Sequence, residues 1–332
     1  MSAGASGTTG IGSPARRSAK NYSGWPRRRV CPWREAGRRQ ALLIAVAGLL
    51  TEPRWDRPQP PQRPLSTGFR VSLSTYLLPM HHFFVPAHAF REQPVTLTGD
   101  QAHQIRRVLR MRLGDRATLL DNLGWAYEAI LVAVSEGEVK FQTVRRWAAG
   151  GEPHTRIVLF QAVLKGDRFA WALQKGAEVG VSLFVPTICE RNVVDDLNAV
   201  EAKRERWERI IQEAAEQSGR ARLPELAPPQ LFAQAVQPGS VPTDPTKPVP
   251  LRLIPWEEEQ SARLRDALAG CNFTKGACIQ VYVGPEGGFT EAEVRLARGY
   301  GIQSVTLGAR ILRAETAGIV AATAILYQAG EI

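Results

Sequence analysis

Four stretches of this chain bring together residue types that do chemistry, three of them where a strand ends. In the first, the apolar run 279–283 passes into Gly284-Pro285-Glu286-Gly287-Gly288-Phe289-Thr290. Thr290 and Glu293 then have the T-x-x-E spacing that opens a helix. Gly287 and Gly288 can take backbone conformations denied to other residues, which serves either a tight turn or a ligand lying against the main chain. The spacing is neither G-x-G-x-x-G nor G-x-x-x-x-G-K-[ST], so the common dinucleotide and mononucleotide loops are excluded. The second stretch, Leu307-Gly308-Ala309-Arg310-Ile311-Leu312-Arg313-Ala314-Glu315-Thr316-Ala317, crowds two guanidiniums and a carboxylate at the next strand-to-helix junction. Arg313 and Glu315 are either an ion pair at a helix start or one wall of a pocket. The third joins Lys165-Gly166-Asp167-Arg168 to Gln174, Lys175 and Glu178 on the following helix, and to Glu190-Arg191 after the next strand. In the fourth, Glu213 to Ser218 end a polar helix, Gly219 stops it, and Arg220 and Arg222 follow.

Two rhythms surround these stretches. Residues 81–147 hold short alternating runs at 82–85, 95–97, 117–121, 126–134 and 138–144, with turns at 122–124 and 136–137. That spacing predicts a small β-barrel or sandwich. One helix interrupts it from 99, with Asp100 as N-cap and Ile105, Val108 and Leu109 as its apolar face. Arg106, Arg107, Arg110, Arg112 and Arg116 follow with Asp115 as the one acid among them, a density that suits phosphate contact better than a solvated face. A linker covers 148–153. Strands at 156–163, 183–189, 250–254, 279–284 and 304–308 then alternate with helices at 167–180, 199–218, 258–269, 291–299 and 315–329. The Pro-rich stretch 224–249 leaves little room for regular structure. Such alternation predicts a parallel sheet covered on both faces, with ligands at the carboxyl ends of its strands.

Charge divides the chain differently. The 332 residues sum to +10, and residues 1–70 account for all of it, with 13 Lys and Arg against Glu35, Glu52 and Asp56. Residues 1–79 are expected to be an unstructured extension. Its apolar decamer 41–50 behind Arg38-Arg39 reads as an export signal, the Arg- and Ser-rich composition as a transit peptide, and the whole as a start assigned upstream of Met80. No apolar run has the ~20 residues of a membrane-spanning helix. Cys31, Cys189, Cys271 and Cys278 form no C-x-x-C pair, which supports neither a zinc site nor a disulfide framework and fits a reducing cytosol.

The segments FQAVLKGDRFAWALQKGAEVGV, RWERIIQEAAEQSGRARLPEL, YVGPEGGFTEAE and LGARILRAETAGIVAATAIL together resemble the RsmE family, the ribosomal small-subunit RNA uridine N3-methyltransferases of the SPOUT class. The resemblance runs from about residue 80 to the C-terminus. It implies a PUA-like β-barrel over 80–149 that helps bind RNA. It also implies a SPOUT α/β domain over 153–332, whose last segment is threaded as a trefoil knot. The implied cofactor is S-adenosyl-L-methionine, held by Gly284, Glu286, Gly287 and Gly288, by Leu307, Gly308, Arg310, Ile311, Leu312 and Ala317, and by Ile254. Glu315, Lys165 and Glu178 become candidates for contacting the base, and Arg313 for holding the uracil carbonyls, a phosphate or the cofactor carboxylate. Arg106 to Arg116, Arg220 and Arg222 become RNA contacts. A homodimer built on helix 315–329, a cytoplasmic location, 16S ribosomal RNA as partner, and neither metal nor membrane complete the expectation. Two other readings are a non-catalytic ribosome-assembly factor and a SPOUT methyltransferase acting on another RNA position. The intact glycine-rich and R-I-L-R-A-E-T-A loops argue against the first. The leading barrel and E-Q-S-G-R-A-R argue against the second.

Overall fold

The computed structural model describes residues 81–194, 196–242, 249–273 and 276–332, so the three readings of residues 1–79 fall outside the described residues. The small domain begins with β1 (His81–Phe84), a 3-10 turn (Ala87–Arg91) and β2 (Val95–Thr98). After α1 (Gly99–His103) come β3 (Arg116–Leu120), β4 (Trp125–Val134) and β5 (Glu138–Ala148). They pair in the order β1-β3-β4-β5-β2, with β1 parallel to β3 and every other pair antiparallel. The ladder is open between β1 and β2, and α1 spans the gap where Gln101 Nε2 donates to the Phe84 carbonyl at 2.8 Å. Inward residues alternate as the strand period requires, so that Phe83, Leu97, Leu119, Leu131 and Phe141 form one core under Ile105. At the 122–124 turn the Asp121 carboxylate accepts from the amides of Leu123 and Trp125, while Asn122 and Gly124 take positive φ.

The helix expected from 99 is shorter and differently wound. Thr98, not Asp100, is its N-cap, and after one α-helical stretch the chain makes a π-helical turn over Gln104–Val108. A π turn inserts an extra residue per hydrogen bond and rotates the side chains beyond it. Ile105 is therefore buried as expected, whereas Val108 is 66% exposed.

The large domain alternates strands and helices: β6 (Arg156–Ala162), α2 (Arg168–Val179), β7 (Leu183–Ile188), α3 (Leu197–Glu201), α4 (Arg204–Ser218), β8 (Glu225–Leu226) and β9 (Gln230–Leu231). α5 (Phe232–Ala235), β10 (Leu251–Pro255), α6 (Leu264–Leu268), β11 (Cys278–Val283), α7 (Glu291–Gly299), β12 (Gln303–Val305) and α8 (Ala314–Ala329) complete it. All strands are parallel, in the order β12-β10-β11-β6-β7-β8, with β9 also on β7. Successive residues of β6 feed opposite cores. Ile157 and Leu159 pack with α2, α4, α6 and α8, and Val158 and Phe160 with α5 and α7. The Pro-rich stretch thus contains two short strands and a helix rather than loop alone. The helix expected at 199–218 is broken between α3 and α4, and Gly219 ends α4 in the left-handed conformation as its position predicted.

One buried cation fixes the joint between the domains. Arg220, only 4% exposed, grips linker residue Glu152 with both arms of its guanidinium, Nε at 3.0 Å and NH2 at 2.7 Å. Its NH1 donates to the carbonyls of Ala177 and Val181, at 3.2 and 2.5 Å. On the neighbouring helix, buried Glu216 accepts from the Phe84 amide of β1 at 3.0 Å and from Gln212 at 2.9 Å. Burial pushes the Glu216 carboxyl above the usual range, against the opposing pull of these donors. Because removal of one partner strands a buried charge, Glu152→Ala is expected to cost about 3 kcal/mol. Urea denaturation monitored by circular dichroism measures it.

Candidate active site

Parallel strands deliver their following loops to one edge, and here the connections diverge at the centre. β6 sends α2 toward β7, whereas β11, its neighbour, sends α7 past β10 to β12. Divergence of adjacent connections opens a crevice at the carboxyl ends, the usual place for a ligand in such a sheet. Glu286 bridges it. Its Oε1 accepts from the Lys165 amide at 3.0 Å and from Arg168 NH1 at 3.2 Å, tying the glycine-rich loop after β11 to the loop after β6.

The glycine-rich loop is held from several sides. Arg191, after β7, donates to the Gly287 carbonyl at 2.8 Å, and a Cβ on Gly287 would come within 3.2 Å of its side chain. Gly288 has φ +70, and a Cβ there would fall 2.0 Å from Glu257 Oε1. Both halves of the Thr290–Glu293 capping box are present. Glu293 also accepts from the Glu190 amide at 2.8 Å, and Thr290 donates to Glu190 at 2.9 Å, so the start of α7 is joined to the end of β7. Arg191 and Glu190 stand together in the sequence as candidates. Glu257 gave no sequence signal beyond its place after a strand.

The loop after β10 is organised by Glu259. Its Oε1 accepts from the Ser261 and Ala262 amides, both at 3.1 Å, and from Ser261 Oγ at 2.8 Å. Its Oε2 accepts from Ser304 Oγ at 2.7 Å and Arg298 NH2 at 3.1 Å. The Ser304 bond first, then the amides and hydroxyl of the turn, hold the carboxyl at about 2. This local capture of amides explains why the helix expected over 258–269 is confined to 264–268.

The sequence candidates divide accordingly. Glu286, Gly287 and Gly288 sit at the crevice, and Gly284 precedes them where a Cβ would stand 3.1 Å from the Phe289 ring. Leu307 and Gly308, the latter at φ +115, leave β12, which ends at Val305, three residues before the expected 308. Arg310 and Ile311 are exposed, and Leu312 and Ala317 half-buried. Arg313 is the N-cap of α8 with its side chain 79% exposed, 4.0 Å from Glu315, whose side chain is 13% exposed. Lys165 is exposed at the same edge. Ile254 is fully buried on β10, leaving only its main chain for a ligand. Glu178 is not brought to this group. It lies ten residues along α2 from Arg168, about 15 Å by helical rise, and pairs with Lys175 at 2.7 Å.

The arginines also separate. Arg220 is committed to Glu152 and two buried carbonyls, which removes it from any RNA surface. Arg116 pairs with Glu128, and Arg106 donates to the Glu136 carbonyl at 2.7 Å. Arg107, Arg110 and Arg112 are exposed, and Arg222 is exposed beside the barrel. Among the described residues no cluster of His, Cys, Asp and Glu could hold a metal ion, and no helix is long and apolar enough to cross a membrane.

Known proteins share this arrangement. Residues 151–326 match the RNA methyltransferase domain family and residues 97–144 the RNA methyltransferase PUA domain family. The chain is 35% identical over 238 residues to ribosomal RNA small subunit methyltransferase E of Bacillus subtilis, covering 70% of this chain and 90% of that protein. It is 35% identical over 257 residues to the Synechocystis protein of the same name, covering 77% and 80%. The Neisseria gonorrhoeae ribosomal RNA small subunit methyltransferase E, solved bound to S-adenosyl methionine, superimposes with a TM-score of 0.61 at 31% identity, over 75% of this chain and 97% of that one.

The Glu259 anchor has a defined acid limit. Its folded-state pKa of about 2 lies below the ordinary value of 4.5, so the anchoring is complete above pH 4.5 and fails as the pH falls through about 2. Hydrogen exchange at the Ser261 and Ala262 amides should accelerate over that window, relative to neighbouring amides. In Glu259→Gln the excess acceleration should be absent.

Proposed function

The chain belongs to the ribosomal RNA small subunit methyltransferase E family, as an enzyme that methylates small-subunit ribosomal RNA with S-adenosylmethionine, and on that premise we propose that it modifies N3 of one uridine in 16S ribosomal RNA. The observation that supports the site is the bridged crevice between β6 and β11, where the glycine-rich loop packs so closely on Phe289, Arg191 and Glu257 that no side chain fits at 284, 287 or 288. Gln161, at the end of β6, adds a buried Oε1 with no hydrogen-bond partner, 3.0 Å from where a Cβ on Gly318 of α8 would stand. An unpaired buried acceptor between strand end and last helix fits a site that a polar ligand completes.

In this reading Gly284, Glu286, Gly287 and Gly288 form one side of the cofactor pocket. Leu307, Gly308, Arg310, Ile311, Leu312 and Ala317 form the other, with the main chain of Ile254 between. The cofactor, when bound, supplies a methyl group already activated on a sulfonium. The chain's task is therefore to align the uracil and to remove one proton. Glu315, a shielded carboxylate in the first turn of α8, would take the proton from N3, leaving that nitrogen an electron pair with which to accept the methyl group as its bond to sulfur breaks and the neutral thioether leaves. Lys165 and Arg313 hold the carbonyl oxygens on either side of N3, where negative charge develops. Glu178 stands outside this set.

Arg107, Arg110 and Arg112 of the small domain contact phosphates, with Arg106 and Arg116 beside them. The protein works in the cytoplasm as a homodimer. In support of the dimer, α8 is apolar on nearly every side and leaves Val320 and Tyr327 exposed. The trefoil threading is carried over with the family; the return of α8 across β6 and β11 is compatible with it.

Three measurements test this. In cells lacking the gene, N3-methyluridine should disappear from 16S ribosomal RNA and return with the wild-type chain. Purified Arg313→Ala should show kcat/KM lower by roughly ten- to a hundred-fold, as expected for a lost charged contact. Persistence of the mark in the deletion strain would refute the assignment. Gly288→Val, which forces a side chain onto Glu257 at positive φ, should abolish S-adenosylhomocysteine binding in calorimetry. Undiminished binding would remove that loop from the pocket.

A further inference from the structure

The small domain carries an aromatic strip that the methyl-transfer site leaves unused. Tyr127 of β4 is the register partner of Arg146 of β5, and Trp125, two residues before Tyr127, lies on the same face of the ladder. The Arg146 guanidinium sits 4.3 Å over the Trp125 ring. Phe90 stacks on Tyr127 at 4.1 Å with 23° between the planes. Trp125 is 41% exposed, although an indole normally buries most of its surface. Arg222 reaches the same place from beyond α4. It donates to the Leu123 carbonyl at 3.4 Å and passes 3.7 Å from where a Gly124 Cβ would be.

The charges around the strip decide what it can receive. Arg145 is paired with Glu128 and Arg220 with Glu152, whereas the guanidiniums of Arg146 and Arg222 form no ion pair among the described residues, although the Arg222 amide donates to Glu152 at 3.1 Å. The nearby Asp121 is buried and turned inward, accepting the Leu123 and Trp125 amides. A part-exposed indole beside two guanidiniums without an ion pair is poor packing for an apolar protein surface. It suits an unpaired nucleotide, which offers a base to stack and a phosphate to pair.

We propose that Trp125, with Arg146 and Arg222, is a stacking platform for an unpaired base of the ribosomal RNA flanking the methylated nucleotide. The proposal rests on the RNA-methyltransferase reading and extends it. β4 is ten residues long, so the platform stands on the order of 30 Å along the hairpin from the tip, where Arg106 meets Glu136. RNA then engages the small domain at two stations, an arginine cluster and a stacking end.

The test uses the full-length chain and a labelled, mixed-sequence single-stranded RNA, with a duplex of equal length for comparison, in fluorescence anisotropy at several salt concentrations. Trp125→Ala should weaken single-strand binding about tenfold, and Trp125→Phe should restore most of it. Arg146→Ala should lower the salt slope by about one. On 16S ribosomal RNA, Trp125→Ala should raise KM with little change in kcat, and S-adenosylhomocysteine affinity should stay at the wild-type value. Circular dichroism confirms that each variant is folded. Wild-type RNA affinity in Trp125→Ala overturns the platform. So does equal weakening for single strand and duplex, or a changed oligomeric state in place of a changed RNA affinity. Failure of the wild-type chain to methylate ribosomal RNA at all overturns the underlying reading, and the platform with it.

Discussion

All seven strands of the large sheet point the same way, and that shared direction is the constraint on which the site depends. Apart from the short pair β8 and β9, each strand hands the chain to a loop at one edge and the next receives it from a helix at the other. The loops after β6, β10, β11 and β12 therefore meet although they lie far apart in the sequence. Parallel pairing exacts a double burial, since helices must cover both faces. The alternation along β6 meets that demand, with Leu159 facing one set of helices and Phe160, stacked 4.2 Å from Tyr282, facing the other. Divergence of the connections after β6 and β11 then leaves a gap that no packing rule fills, and polar side chains occupy its rim.

The second constraint is the joint. A short linker and one strand-to-helix contact would leave the small domain free to swing. Arg220 and Glu216 oppose this by placing polar groups where they must be satisfied from the other side. The guanidinium needs the linker carboxylate, and the carboxylate of α4 takes an amide from β1. Such contacts are costly to break because each buried partner would be left alone. They hold the basic surface of one domain in a fixed relation to the crevice of the other.

Much of this was legible in the sequence, and the failures have physical causes. Periodicity located every strand of both sheets longer than two residues, and the T-x-x-E spacing located the capping box at Thr290. The features it missed depend on side-chain commitments that no spacing encodes. Arg220 reads as one of two equivalent arginines after a helix stop, yet one is buried in an ion pair and the other exposed beside the barrel. Val108 follows the helical period, but a π turn rotates it outward. Glu259 lies inside an apparently helical run and captures the amides that a helix would have used. The four catalytic candidates come from the family resemblance, which does not fix where along a helix a side chain stands. Helix α2 carries Glu178 about 15 Å along its axis from Arg168, away from the strand ends that Lys165 and Arg168 follow.

The Glu286 carboxylate belongs to one loop but is satisfied by the backbone and an arginine of another. Those loops are therefore inherited as a pair. A change at Arg168 alters the company that Glu286 keeps, and a change at Glu286 leaves the Lys165 amide to find another acceptor. Drift at one loop should be tolerated only alongside matching drift at the other. Grafting the glycine-rich loop alone onto a related sheet would then transplant half of a site.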